Sequence, residues 1–133
     1  MVPVQASTAA DIEDAITTLV HERAEGFLVF PDGFFNSRRH QIFELARRNH
    51  LASVVGQREY LEAGALISYG EHYRDYLHRT AVYVDKIFKG ANPGDLPIEQ
   101  PTRFYLLVNL NTAKALDLKM SESFLMRADE VIE

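Results

Sequence analysis

Asp32 and Phe34, two places apart in "VFPDGFF", set a carboxylate able to hold an ammonium group beside an aromatic ring able to stack. Asp32 with Gly33 is equally the composition of a plain turn, and the residues alone do not separate the two readings. Arg58, in "GQREYLEAG", offers a planar guanidinium that can grip a carboxylate through two parallel hydrogen bonds. The competing reading is a helix-surface charge paired locally with Glu59. A third group closes the run "ALISYG": Ser68 and Tyr69 supply hydroxyl donors and acceptors, and Gly70 permits close backbone approach or a positive φ. Taken by themselves, these residues favour a structural role: Ser68 satisfies a strand end, Tyr69 packs in the core, and Gly70 starts a turn.

Other chemistries lack their residues. With no cysteine, disulfides and thiolate zinc sites are excluded. His21, His40, His50, His72 and His78 show no i,i+4 pair and no HExxH pattern, so no metal site is expected. There is no GxSxG, Walker or GxGxxG sequence, and no cofactor is implied. Arg38, Arg39, Arg47 and Arg48 fall on the outer faces of one amphipathic helix and read as a solvated surface. Lys plus Arg number 14 against 19 Asp plus Glu, a net charge of -5, which argues against nucleic acid because counterion release needs clustered cations.

Positioning these groups requires an alternating fold. At 133 residues, 47% hydrophobic and 25% charged, the chain suits a single globular domain. "VPVQA" reads as a short strand, and Thr8 with Asp11 as a capping box opening a helix with Ile12, Ile16 and Leu19 inward. "GFLVF" (26–30), "ASVVG" and "ALIS" are further strands. A helix from Asn36 turns Ile42, Leu45 and Ala46 inward, and "REYLEAG" gives a single helical turn. A long helix over His72–Lys89 carries a broad apolar stripe, Tyr76, Leu77, Val84 and Ile87 among it, and Gly90 stops it. "GANPGDLPIEQPT" is a crossing loop, "RFYLLVNL" a last strand, "NTAKALDL" a short helix and "SESFLMRADEVIE" a terminal helix. The expected architecture is a three-layer αβα sandwich, Rossmann-like, with a mostly parallel sheet. In such sheets ligands sit beyond the carboxyl ends of the strands, where Asp32, Phe34, Arg58 and Ser68 to Gly70 fall.

The blocks "FFNSRRHQIFELARRNHLASV", "GALISYG", "YRDYLHRTAVYVDKIFKGANPGDLPIEQPTRFYLLVNLNTAKALDL" and "RADEVIE" occur in order over nearly the whole chain. They resemble the C-terminal part of the ABC-transporter substrate-binding protein family. The resemblance implies a type I periplasmic binding protein fold: two α/β lobes that close on a ligand lying between them. Residues 1–133 then form one α/β domain, the C-terminal lobe, without the N-terminal lobe and signal peptide that precede this region in the family. Ser68, Tyr69 and Gly70 would meet the ligand from the hinge side. A small organic solute such as an amino acid and an ABC permease are the implied partners, and a periplasmic setting is implied, or a cytoplasmic one if Met1 is the natural start.

Two further readings stand beside this one. One is a small α/β enzyme using Asp32, Glu59 and Tyr69 at the strand ends; the other is an oligomeric interaction module without a ligand. The apolar stripe of the long helix and the apolar strand "RFYLLVNL" would be left uncovered in one lobe alone. A homodimer is therefore expected, with the long loop permitting exchange of the elements after Gly64.

Overall fold

The computed structural model describes residues 1–133. Thr8 opens helix α1 (Ala9–His21) with a reciprocal cap: its hydroxyl accepts from the Asp11 amide at 3.2 Å while the Asp11 carboxylate accepts from the Thr8 amide at 2.8 Å. The Ser7 amide, followed by the Thr8 hydroxyl and amide, holds the Asp11 carboxyl below its ordinary value of 3.8. Ile12, Ile16 and Leu19 consequently turn to the core.

Strand β1 (Gly26–Val29) leads into helices α2 (Gly33–Ser37) and α3 (Arg39–Arg48), then β2 (Ala52–Val55), α4 (Arg58–Glu62) and β3 (Ile67–Gly70). The chain continues through α5 (Tyr73–Phe88), a 3-10 turn at Pro93–Asp95, β4 (Tyr105–Asn109), α6 (Leu110–Ala115), α7 (Glu122–Leu125) and β5 (Glu130–Ile132). The five strands lie in sequence order, with β1, β2 and β3 parallel, β4 antiparallel to β3, and β5 parallel to β4. This is the mostly parallel α/β sheet the sequence led to.

Register decides which side chains meet. Val55 stands opposite Ser68, and Ser68 opposite Leu107, so these three share a face. Leu28, Val54 and Ile67 share the other face, and Tyr69 joins them by alternation. On the first face Ile12, Ile42, Phe43, Val55, Tyr60, Leu61, Ala65 and Leu107 form the main core, with the Phe43 and Tyr60 rings edge to face at 5.7 Å. Each large side chain removed from water there stabilises by about 2 kcal/mol. Towards the amino ends of β2 and β3, Ala113 and Leu116 pack against Leu66.

Helix α5 ends as its sequence implies. Gly90 adopts φ +96, and the amides of Gly90 and Ala91 donate to the carbonyls of Ile87 and Lys86, a Schellman closure. No residue of α5 is buried.

Three local expectations are corrected. "VPVQA" forms no strand: residues 1–6 make no ladder, because no strand lies beside them. The helix expected from Asn36 starts earlier and in two pieces, since Asp32 caps α2 at Gly33 and Arg38 separates it from α3. "SESFLMRADEVIE" is not one helix. Ser121 caps the single turn α7, after which Asp129 locks onto β4: its amide donates to Leu106 O at 2.8 Å and its carboxylate accepts from Leu106 N at 2.9 Å. Val131 and Ile132, β-branched, then run on as β5.

Candidate functional site

The carboxyl ends of β1, β2 and β3 point the same way, so the loops after them meet. Two glycines make their approach possible. A Cβ on Gly70 would stand 2.0 Å from the Gly56 carbonyl oxygen and 2.9 Å from its carbon, so main chain passes main chain where a side chain would otherwise stand. Close approach, not a positive φ, is the use of the last residue of "ALISYG".

Past these strand ends lies a concavity of ≈ 470 Å³. The segment after β1 gives it Pro31 and Asp32 with Gly33 and Asn36 of α2; the segment after β2 gives Gln57 with Glu59 of α4; and α5, which follows β3, gives Tyr73. Asp32 caps α2, its Oδ1 accepting from Phe34 N at 2.7 Å, and its Oδ2 makes no hydrogen bond within the chain. Asn36 Oδ1 is a further acceptor without a partner. The Tyr60 phenol, also buried without a partner, is pushed up by burial first and then by the Asp32 charge. The lining holds two carboxylates and no lysine or arginine, an arrangement suited to a cation.

The remaining residues singled out from sequence lie elsewhere. Phe34 packs against the main core, its ring 5.6 Å from that of Phe35. Ser68 is buried between β2 and β4, and Tyr69 emerges on the opposite face, its ring stacked on Phe104 at 5.7 Å. Arg58 is held across the molecule. Its Nε and a terminal nitrogen meet the two oxygens of Glu130 at 3.2 and 2.6 Å, and its other nitrogen meets Glu62. That fork is already filled, and the carboxylate it grips belongs to β5. Tyr73 and Asn36, which do line the concavity, were missed: Tyr73 reads as the first member of a helical stripe, and Asn36 as the first residue of a helix. The signal for Tyr73 was its place three residues after the end of β3.

The Arg58 hydrogen bonds hold the Glu130 carboxyl below its ordinary value of 4.5. A depressed carboxylate contributes stability that is fully present above pH 4.5 and is lost as the pH falls through the folded-state value. At 38% and 39% exposure the pair is partly screened, so its contribution is small. Glu130→Gln is expected to flatten the fall of stability below about pH 5. Superimposable acid limbs for the two proteins, followed by circular dichroism, would contradict this.

Residues 1–132 match the family described as ABC transporter substrate binding protein. The chain belongs to that family. This substrate-binding family chain is similar to the tyrosine-binding protein of Clostridioides difficile, 23% identical over 113 residues that make up 85% of this chain and 32% of that protein. Among solved structures it is similar to a conserved domain protein from Vibrio cholerae, with TM-score 0.87, 25% identity, and coverage of 95% of this chain and 42% of that one. It is also similar to an ABC domain in complex with L-Trp from Streptococcus pneumoniae, with TM-score 0.86, 20% identity, and coverage of 96% and 43%. The chain therefore spans about a third of the curated relative and under half of each solved structure.

Proposed function

We propose that this chain is the C-terminal lobe of a two-lobed receptor that delivers an amino acid, preferably an aromatic one, to an ABC permease, and that it supplies the wall recognising the ammonium group. The observation that carries this reading is the concavity itself: Asp32 and Glu59 in a lining that holds no lysine or arginine, beside the exposed Tyr73 ring. Asp32 Oδ2 receives an N–H of the ammonium, Asn36 and Gln57 offer further polar atoms, and Tyr73 stacks on the ligand side chain. The ligand carboxylate is read from the second lobe. L-Trp and tyrosine, named for two of the similar proteins, agree in class. Such a receptor works at the outer side of the membrane.

The enzyme reading needs Asp32, Glu59 and Tyr69 to converge, but Tyr69 is stacked on Phe104 and does not line the concavity. Solute binding without catalysis is the better reading. Because only one wall is present, isothermal titration of the isolated chain with L-tyrosine or L-tryptophan should give an affinity no tighter than about millimolar. Turnover of an ester or phosphate substrate, lost in Glu59→Gln, would overturn the assignment.

Helix α5 is the contact face for the second lobe. Tyr76, Leu77, Val84 and Ile87 are 49%, 48%, 43% and 39% exposed along one stripe. In the isolated chain two copies cover these stripes on each other, so a homodimer is expected at micromolar concentration. Tyr76→Asp with Val84→Asp should convert it to a monomer in light scattering. A wild-type monomer, or a dimer indifferent to both changes, would remove α5 as the contact.

A further inference from the structure

β1 is bonded along one edge only: Gly26 to Val29 pair with Ala52 to Val55, and the opposite edge carries no ladder. Val4, Gln5 and Ala6, likewise unpaired, lie near that open edge. A groove separates them, and 12 of its 13 lining residues are apolar. Val4 and Ala6 form one wall, Leu28 and Phe30 the other, with Ile16 and Leu19 of α1 among the lining residues. Leu28 and Phe30 are 56% and 76% exposed. Unbonded main chain flanked by large apolar side chains is what stable sheets avoid by pairing or covering the edge.

We propose that this groove is a strand-acceptor slot: one extended apolar segment from outside residues 1–133 lies between residues 2–6 and β1 and joins the sheet as a further strand. The occupant follows from the two walls. A strand seated there must be free along both edges, to bond β1 on one side and residues 2–6 on the other. The β1 strand of a second copy is unsuitable, because one of its edges is already bonded to its own β2. The 1–6 segment of a second copy is unsuitable too, since Pro3 lacks the N–H an interior strand must donate. The solved relatives have more than half their length beyond the part this chain matches, and the segment belongs to that share. An almost wholly apolar lining selects an uncharged run of β-branched residues, as in any strand covered on both faces. This slot also accounts for "VPVQA": its composition is that of a strand, and its neighbour is missing. The inference does not depend on which solute the strand-end concavity takes.

The test uses the complete 133-residue chain and a synthetic peptide with a valine and isoleucine hexad flanked by lysines; amide hydrogen exchange is the readout. The peptide is expected to slow exchange at residues 26–30 by about tenfold or more, leaving α5 unchanged. The same peptide with prolines at two central positions should have no effect. In the chain, Leu28→Lys should abolish the protection while Val84→Asp retains it. Unaltered exchange at residues 26–30, equal protection by the proline peptide, or persistence of the effect in Leu28→Lys would each overturn the slot.

Discussion

Asp32→Asn is expected to weaken L-tyrosine binding to this chain by roughly thirtyfold, which takes a millimolar affinity below detection, while leaving its stability within a few tenths of a kcal/mol. The two effects separate because Asp32 has two tasks on two oxygens. Oδ1 caps α2 through the Phe34 amide, and an asparagine carbonyl performs that task equally well. Oδ2 makes no hydrogen bond within the chain and is the atom proposed to receive a ligand ammonium; the substitution replaces it with a neutral amide group. Loss of a charge-assisted hydrogen bond costs about 2 kcal/mol, which is the stated factor in affinity. Thermal unfolding and a ligand titration on the same sample check both halves. Unchanged affinity would remove Asp32 from the site, and a matching loss of stability would show that only the cap had been altered.

Gly70→Ala is expected to cost about 3 kcal/mol, a large share of the 5–15 kcal/mol typical of a domain. The new methyl group would meet Gly56 main chain at 2.0 Å, and neither strand end can retreat without breaking its ladder. Gly33→Ala is the control: nothing lies within 4 Å of where its methyl group would stand, it sits at the start of α2, and the change should be neutral or slightly stabilising. Urea midpoints at constant slope compare the two. Equal midpoints would show that the close approach of β2 and β3 is not a constraint on the fold.

Local chemistry made much of this molecule legible. The Thr8–Asp11 box, the Gly90 stop and the apolar runs of β1, β2 and β4 each follow from residues within a few positions of one another. Alternation along the chain then led to the mostly parallel sheet, and the sheet to Asp32 at a strand end. What escaped depended on partners distant in sequence. Glu130 reaches Arg58 across 72 positions, so a guanidinium that looks available in the sequence is engaged in the structure. β5 is only 3 residues long, preceded by a helix-like composition, and is fixed by Asp129 meeting Leu106. Tyr69 and Ser68 are neighbours in sequence, yet a strand sends them to opposite faces, and only the register with β2 and β4 says which face is the core. "VPVQA" shows the reverse failure: a strand composition with no strand beside it.

The strand-end concavity of this chain is proposed to meet the ammonium end of an amino acid. Backbone amide shifts of the isotopically labelled chain, followed during addition of L-tyrosine, test it most directly. The expected result is fast-exchange shifts confined to residues 31–36, 57–59 and 70–73, reduced when the amine is acetylated. Shifts confined to α5 or the β1 groove, or shifts equally large with N-acetyltyrosine, would contradict it.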